Sequence, residues 1–250
     1  MKNYWSFCLL LSFFFHLISM PSCAQPDSRI TSGFDVGTGW KGKAWTVSAL
    51  YHQYLKVDRR GLLEVGWGVR GTHFRGKELD FTTAPSHLTK GKTGFSALNA
   101  PIILRQIDTL QMRTGITSFN FNVSAQVSLF GRLDIGANAD LLGFALGTRR
   151  AGYYLGSRGY NKVDSLNVHQ TYQQAQPARF NFLWLGDNTV GNLNAEIYAR
   201  IHFTQRVGLK VSYLFTTNEY RTDQPLVDEN RRFRFRSQMI FVGLTFPMEN

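Results

Sequence analysis

Gly66, Gly68 and Gly71 have the spacing of a dinucleotide-binding fingerprint, in which a strand ends and a helix opens to hold pyrophosphate on its N-terminal amides. Here Gly66 and Gly68 lie within an alternating run, Leu63 to Arg70, Gly71 follows it directly, and no helical pattern comes after. They read as small residues making room in a crowded interior. Gly91-Lys92-Thr93 matches the end of a phosphate loop, but Ser86 stands where that loop's first glycine belongs. Asn122-Val123-Ser124 matches a glycosylation acceptor only by chance, since it falls mid-strand. The six histidines show no metal spacing, and no nucleophile motif is present. His52 and His202 read as hydrogen-bonded structural imidazoles. A rim-located acid–base or nucleophilic site would have to use His73, His87, His169 and Ser165, which fall in predicted loops. No catalytic residue, metal or cofactor is assigned.

The elements that carry these residues alternate with period two. Phe119, Phe121, Val123, Ala125, Val127 and Leu129 oppose Asn120, Asn122, Ser124, Gln126 and Ser128, a strand with one apolar face and one face of amides and hydroxyls. Leu133 to Leu141 repeats the rule after Phe130-Gly131-Arg132 and closes a hairpin. A second hairpin joins Leu193–Phe203 to Val207–Phe215, and a third joins Trp45–Leu55 to Leu62–Arg70. Ile30 to Trp40 supplies a first strand and Arg232 to Phe246 a last one, giving eight. Short turns near 56–61, 130–132 and 204–206 alternate with long connections at about 72–112, 148–189 and 221–231. That asymmetry predicts an all-β fold: an up-and-down antiparallel transmembrane β-barrel with long extracellular loops. Ten strands are the variant if Lys77–Thr83 and Asn99–Arg105 form an extra hairpin. Ile107–Met112 and Val163–Val168 echo each other and read as strand extensions above the membrane. The competing architecture is a soluble exported barrel or sandwich, which would turn the apolar faces inward.

Residues 1–24 read as a signal peptide, with Lys2, an apolar core from Phe7 to Ile18, and small residues before a cleavage point after Ala24. Residues 25–250 are then one barrel domain, and Cys8 and Cys23 leave with the leader, so disulfides and cysteine metal sites are excluded. A lipidated Cys23 is the rival reading of the same junction. Without Lys2 the chain keeps 27 basic against 17 acidic residues. Such an excess suits anionic lipid or acidic glycan, and export sets nucleic acid aside.

The charged residues opposite the apolar faces are expected to interlock inside the barrel. Buried ions must pair, so Asp35, Glu64, Asp134, Asp140 and Glu196 are matched with Arg70, Arg200, Lys210, Arg234 and Arg236 as a luminal polar network. Residues 148–186 hold Arg149, Arg150, Arg158, Lys162 and Arg179 against Asp164 alone. Arg149 and Arg150 follow a strand end, which makes them candidates for contact with lipid headgroups, including lipopolysaccharide. Ile240-Phe241-Val242-Gly243-Leu244-Thr245-Phe246 resembles the closing strand of small bacterial outer-membrane barrels, OmpA/OmpX-like and of the Bacteroidetes type. Cys23-Ala24-Gln25 resembles their export junction, although Pro247-Met248-Glu249-Asn250 follow where that family ends on an aromatic residue. The resemblance implies a bacterial outer-membrane address and handling by the barrel-assembly machinery. The function expected is non-enzymatic display of loops that bind lipid, glycan or an envelope protein. The alternatives are an outer-leaflet enzyme acting on lipid or peptide, and a narrow channel.

Overall fold

The alternating runs pair edge to edge until no edge is left. The computed structural model describes residues 29–58, 61–84, 107–129, 132–156, 168–183 and 189–248; the leader lies outside them. Its strands are β1 (Ile30–Lys41), β2 (Ala44–Lys56), β3 (Leu63–Thr83), β4 (Thr109–Leu129), β5 (Leu133–Gly147), β6 (Arg150–Leu155), β7 (Tyr172–Pro177), β8 (Phe180–Phe182), β9 (Leu193–His202), β10 (Gly208–Thr222) and β11 (Arg232–Met248). Antiparallel pairing runs β1-β2-β3-β4-β5-β9-β10-β11 and back to β1, a closed ring of eight. Stepping sideways from Val127 through Ile135, Ala199, Val211, Val242, Thr38, Val47 and His73 returns to β4 at Thr117, ten residues further up the strand. That shear tilts the strands by about 35–45°, and eight strands leave an interior just wide enough for side chains to fill.

Outward positions of the ring form a continuous apolar belt. Leu63, Val65, Trp67 and Val69 on β3, Phe119 and Phe121 on β4, Ile197 and Ile201 on β9, and Val211, Tyr213 and Phe215 on β10 are all exposed. Their neighbours Glu64, Arg70, Asn120, Asn122, Glu196, Arg200 and Lys210 are buried. A soluble barrel has the opposite arrangement, so this ring is a transmembrane barrel. No helix among the described residues is long and apolar enough to cross a membrane.

The alternation reverses phase part-way up the long strands. On β3 the outward apolar residues end at Val69; His73 and Arg75 then face out, while Phe74, Leu79 and Phe81 are buried inside. A bulge between Gly76 and Leu79, with Glu78 at φ +50°, keeps Leu79 and Phe81 on the inner face. The same exchange puts Leu110, Met112 and Ile116 of β4 inside, with Tyr220 of β10 and Phe233 and Met239 of β11. These residues are the core of a second, narrower ring. The β1–β2 hairpin turns at Gly42, whose φ of +57° suits glycine. Above it β11 pairs directly with β3 at Phe233↔Thr83 and Arg234↔Thr82, while β6 and β7 bridge β4 to β10. Six strands, β3-β4-β6-β7-β10-β11, thus close over an apolar core at the loop end.

Several sequence boundaries change as a result. The connection expected at 72–112 is ladder at both its ends, since β3 runs to Thr83 and β4 starts at Thr109; 85–106 lies outside the described residues. Lys77–Thr83 is the top of β3 rather than a separate hairpin, so the ring has eight strands; Asn99–Arg105 lies outside the described residues. Thr109–Met112 does extend β4, whereas 163–167 is not among the described residues. On β5 a register shift opposite Phe121/Asn122 inserts Leu141, so that Leu142, Phe144 and Leu146 continue the outward face.

The belt assignment has a direct test. Arginine at Ile197, which faces outward near mid-belt, should lower folding stability in lipid vesicles by about 2–4 kcal/mol. Gln111→Arg, on the outward face of β4 above the belt, should change it by less than about 0.5 kcal/mol. Urea titrations of both variants in phosphatidylcholine vesicles decide; equal losses would remove the assignment.

Candidate functional site

Inside the belt the inward positions of five strands converge on alternating charges. Arg200 on β9 and Lys210 on β10 are direct cross-strand partners, a like-charge pair that repels unless something bridges it. Asp35 of β1 bridges it from across the lumen, accepting from Arg200 Nη2 at 2.7 Å and Lys210 Nζ at 2.9 Å. Lys210 also donates to Glu196 at 2.5 Å. Glu196 accepts from Arg70 Nη2 at 2.8 Å, from the Asn138 amide at 2.7 Å and from Ser212 at 2.9 Å. Arg70 reaches Asp140 at 3.6 Å, and Asp140 accepts from the amides of Asn120, Asn122 and Asn194. Three carboxylates therefore alternate with three cations in a ladder from β1 to β5, every member 3% exposed or less. The charges balance. Tyr198 lies under both cations, with Arg200 4.3 Å and Lys210 4.8 Å from its ring centroid, and its hydroxyl is 2.9 Å from that of Tyr54.

Towards the short-turn end the lumen widens into a cavity of about 1080 Å³ lined by Lys56, Glu64, Gln126, Arg132, Asp134 and His202, with Arg200 and His52 at its floor. Glu64 accepts from Gln126 at 2.8 Å, and Asp134 lies 2.7 Å from His202 Nε2. Gly66 and Gly68 face inward here, where an added Cβ would come within 2.6 Å of Tyr54 Cδ1 and 2.3 Å of the Tyr51 carbonyl respectively. Their role is close packing, as the sequence suggested; Gly71 does not share it, since it has the outward parity of Val69 and an added Cβ there would meet only Phe119 on the outer face, at 3.5 Å. His52 Nε2 is 3.4 Å from Asp35, an imidazole tied into the ladder.

Eight of the ten residues predicted for the lumen are there; Arg234 and Arg236 are not. They share the outward parity of Ile240, while Phe233 and Phe235 point to the core. The physical reason is the phase reversal: above the belt water replaces lipid outside, so polar residues face out. Arg234 is nonetheless buried, because Glu219 opposite it on β10 accepts its Nη2 at 3.0 Å and the segment at 189–192 covers both. Glu219, absent from the predicted network, is the most enclosed acid of the loop end, at 0% exposure. Its signal was only its place opposite Arg234.

The wall at this level is knitted by asparagines. β8 pairs with β5 at Phe180–Phe182 and is bridged on its other edge by Val190, before β9 starts at Leu193. Asn181 Oδ1 accepts from the Asn192 backbone at 2.8 Å, Asn192 Oδ1 accepts from the Glu219 backbone at 3.0 Å, and Asn192 Nδ2 donates to the Ala178 carbonyl at 3.0 Å. Side-chain amides thus replace missing ladder bonds. Gly191 turns this segment at φ +91°, and a Cβ there would sit 2.3 Å from Asn181 Oδ1.

Of the rim candidates, His73 on β3 is 2.9 Å from Thr117 Oγ1, and His169, before β7, accepts from the Gly156 amide at 2.9 Å. His87 and Ser165 lie outside the described residues. Among the described residues no group of three or more histidines, cysteines or acids could hold a metal ion. Arg149 pairs with Asp223 at 3.4 Å and Arg150 opens β6, both exposed.

No protein-family model matches the chain, and no curated protein matches it in sequence. Solved structures similar to it include Neisserial surface protein A, at 8% identity and a TM-score of 0.36 over 87% of this chain and 95% of that one. Ail, the attachment invasion locus protein of Yersinia pestis, matches at 7% identity and 0.31 over 88% and 96%. A de novo designed transmembrane β-barrel matches at 8% and 0.32 over 90% and 100%. The scores are too low to carry an argument beside the register and the belt.

Glu196 joins the two halves of the ladder. Glu196→Gln leaves Arg70 and Lys210 short of one buried negative charge and should cost about 3–5 kcal/mol of folding stability, read as a lowered urea midpoint in vesicles. Gly191→Ala, strained by both φ and the Asn181 contact, should cost about 1–3 kcal/mol in the same assay; an unchanged midpoint would mean that the asparagine seam does not support the wall.

Proposed function

We propose that this is a plugged bacterial outer-membrane barrel whose work is binding at its outer surface. On this reading residues 1–24 are the export signal, the barrel-assembly machinery inserts residues 25–250, and the short-turn end faces the periplasm. The loops and the six-strand cap then stand outside the cell, presenting surface to lipid, lipopolysaccharide, glycan or an envelope protein. Kinship with the OmpA/OmpX-like barrels of Bacteroidetes fits the closing strand and export junction.

One observation carries the reading: the lumen is filled in two successive layers, the charge-balanced ladder and above it the dry apolar core of the cap. An ion crossing the barrel would have to break the first and desolvate in the second, each costing several kcal/mol. A non-enzymatic role is part of this reading: Asp35, Asp140 and Glu196 are ion-paired within the ladder, and His73 and His169 are held by separate partners on separate elements.

Planar-bilayer recording of the purified, folded protein tests this. We expect no stable porin-scale conductance steps; a large, persistent open channel would overturn the reading. The open vestibule of about 1080 Å³ favours the narrow channel as second reading. It predicts small steps that grow in Arg70→Ala, where the ladder is cut.

A further inference from the structure

Above the belt the outer face of β10 and β11 turns abruptly basic. Read upward, the outward pairs are Val211 with Val242, Tyr213 with Ile240 and Phe215 with Gln238, then Thr217 with Arg236, Glu219 with Arg234 and Arg221 with Arg232. Four guanidinium groups occupy the three rows next to the hydrocarbon edge, with one carboxylate among them. That carboxylate is fully engaged. Glu219 accepts from Arg232 Nε at 2.8 Å and Nη2 at 2.9 Å besides Arg234, and the Thr189 carbonyl accepts from both arginines. Arg221 stands 3.8 Å from Glu219 with its side chain 49% exposed. Arg236 is exposed and has no ion pair or hydrogen bond among the described residues.

We propose that this strip binds the phosphate of an anionic lipid in the leaflet at the loop end, with the acyl chains lying against Phe215, Tyr213 and Ile240. The inference rests on the reading of the chain as a surface-binding outer-membrane barrel and gives that surface a ligand class and a place. Three features select a lipid phosphate. The excess charge is positive, four guanidinium groups against one carboxylate, and because Glu219 and Thr189 already engage Arg232 and Arg234, the unmet charge is presented by Arg221 and Arg236. Guanidinium forks match phosphate oxygens bidentately, and the half-exposed Arg221, which meets Glu219 only through Nε at 3.8 Å, and the exposed Arg236 can supply them. The charged rows also continue directly into the apolar belt, at a row where the Tyr213 hydroxyl donates to Gln238 at 2.9 Å, as interfacial aromatics do. A soluble anion would meet only the charged half. Arg149, paired with Asp223, offers less unmet charge than this strip.

The test uses the full mature chain, folded in zwitterionic detergent and titrated with bis-phosphorylated lipid A, with retained lipid per barrel counted by native mass spectrometry. Arg221→Gln/Arg236→Gln should weaken retention about tenfold, and added salt should weaken it further. Arg149→Gln/Arg150→Gln should stay within about twofold of the unaltered protein. The unaltered protein should also retain dephosphorylated lipid A about tenfold less well than the phosphorylated form, a comparison that needs no variant to fold. Equal retention of the two lipids, or equal retention by the first double variant with its heat-modifiable migration intact, would overturn the proposal. Displacement of lipid A by millimolar inorganic pyrophosphate would overturn it in favour of a free-anion site. An open channel in the bilayer recording would remove the plugged-barrel reading and leave these outcomes standing.

Discussion

A strand that leaves a bilayer changes solvent without changing its partners, and most of this molecule follows from that. Backbone groups in hydrocarbon have no water to bond, so the ring must close. Once closed, its outer face is set by lipid over a height of about 25 Å and by water above it. Strands of 21 residues, such as β3 and β4, rise on the order of 50 Å even when tilted, roughly twice the belt. Their apolar residues must therefore face out along the lower half and in along the upper half. The reversal at Val69–Phe74 of β3, at Ile116–Phe119 of β4 and at Met239–Ile240 of β11 meets that demand on neighbouring strands. It allows one set of strands to serve two different cores.

The two cores have opposite chemistry for the same reason. Where lipid takes the apolar side chains, the lumen is left with amides and ions, and these are stable only when each finds partners in a space too narrow for bulk water. The ladder achieves this by alternating sign: Asp35 neutralises the Arg200–Lys210 pair, and Glu196 links it to Arg70. Where water takes the polar side chains, the interior can be hydrocarbon, and Phe81, Leu110, Tyr220 and Phe233 fill it. A barrel plugged by an ionic layer and a dry layer in series is poorly suited to passing solutes. Its outer surface is correspondingly the part free to do something else, and the basic strip on β10 and β11 lies where the two solvents meet.

Period-two patterning by itself showed the eight strands of the ring and their three hairpins, because a strand's side-chain period is independent of its neighbours. It left ten strands and a soluble barrel open and did not show β6, β7 and β8; the closed pairing and the outward apolar belt decided the count and the transmembrane class. Within the belt the patterning also determined direction: eight residues expected in the lumen, from Asp35 to Lys210, are there. Only the tertiary structure decided where the outside solvent changes. Arg234 and Arg236 alternate with apolar residues in the same way as Arg70 does, yet they face outward, because the register with β10 carries them above the belt. The upper half of β3 read as loop because its apolar residues had moved to the other face, and no sequence window records that the facing medium has changed. Glu219 was invisible for a related reason. One acidic residue in a strand carries no mark of burial until the chain at 189–192 is laid over it, and that covering depends on long-range pairing that local pattern does not encode.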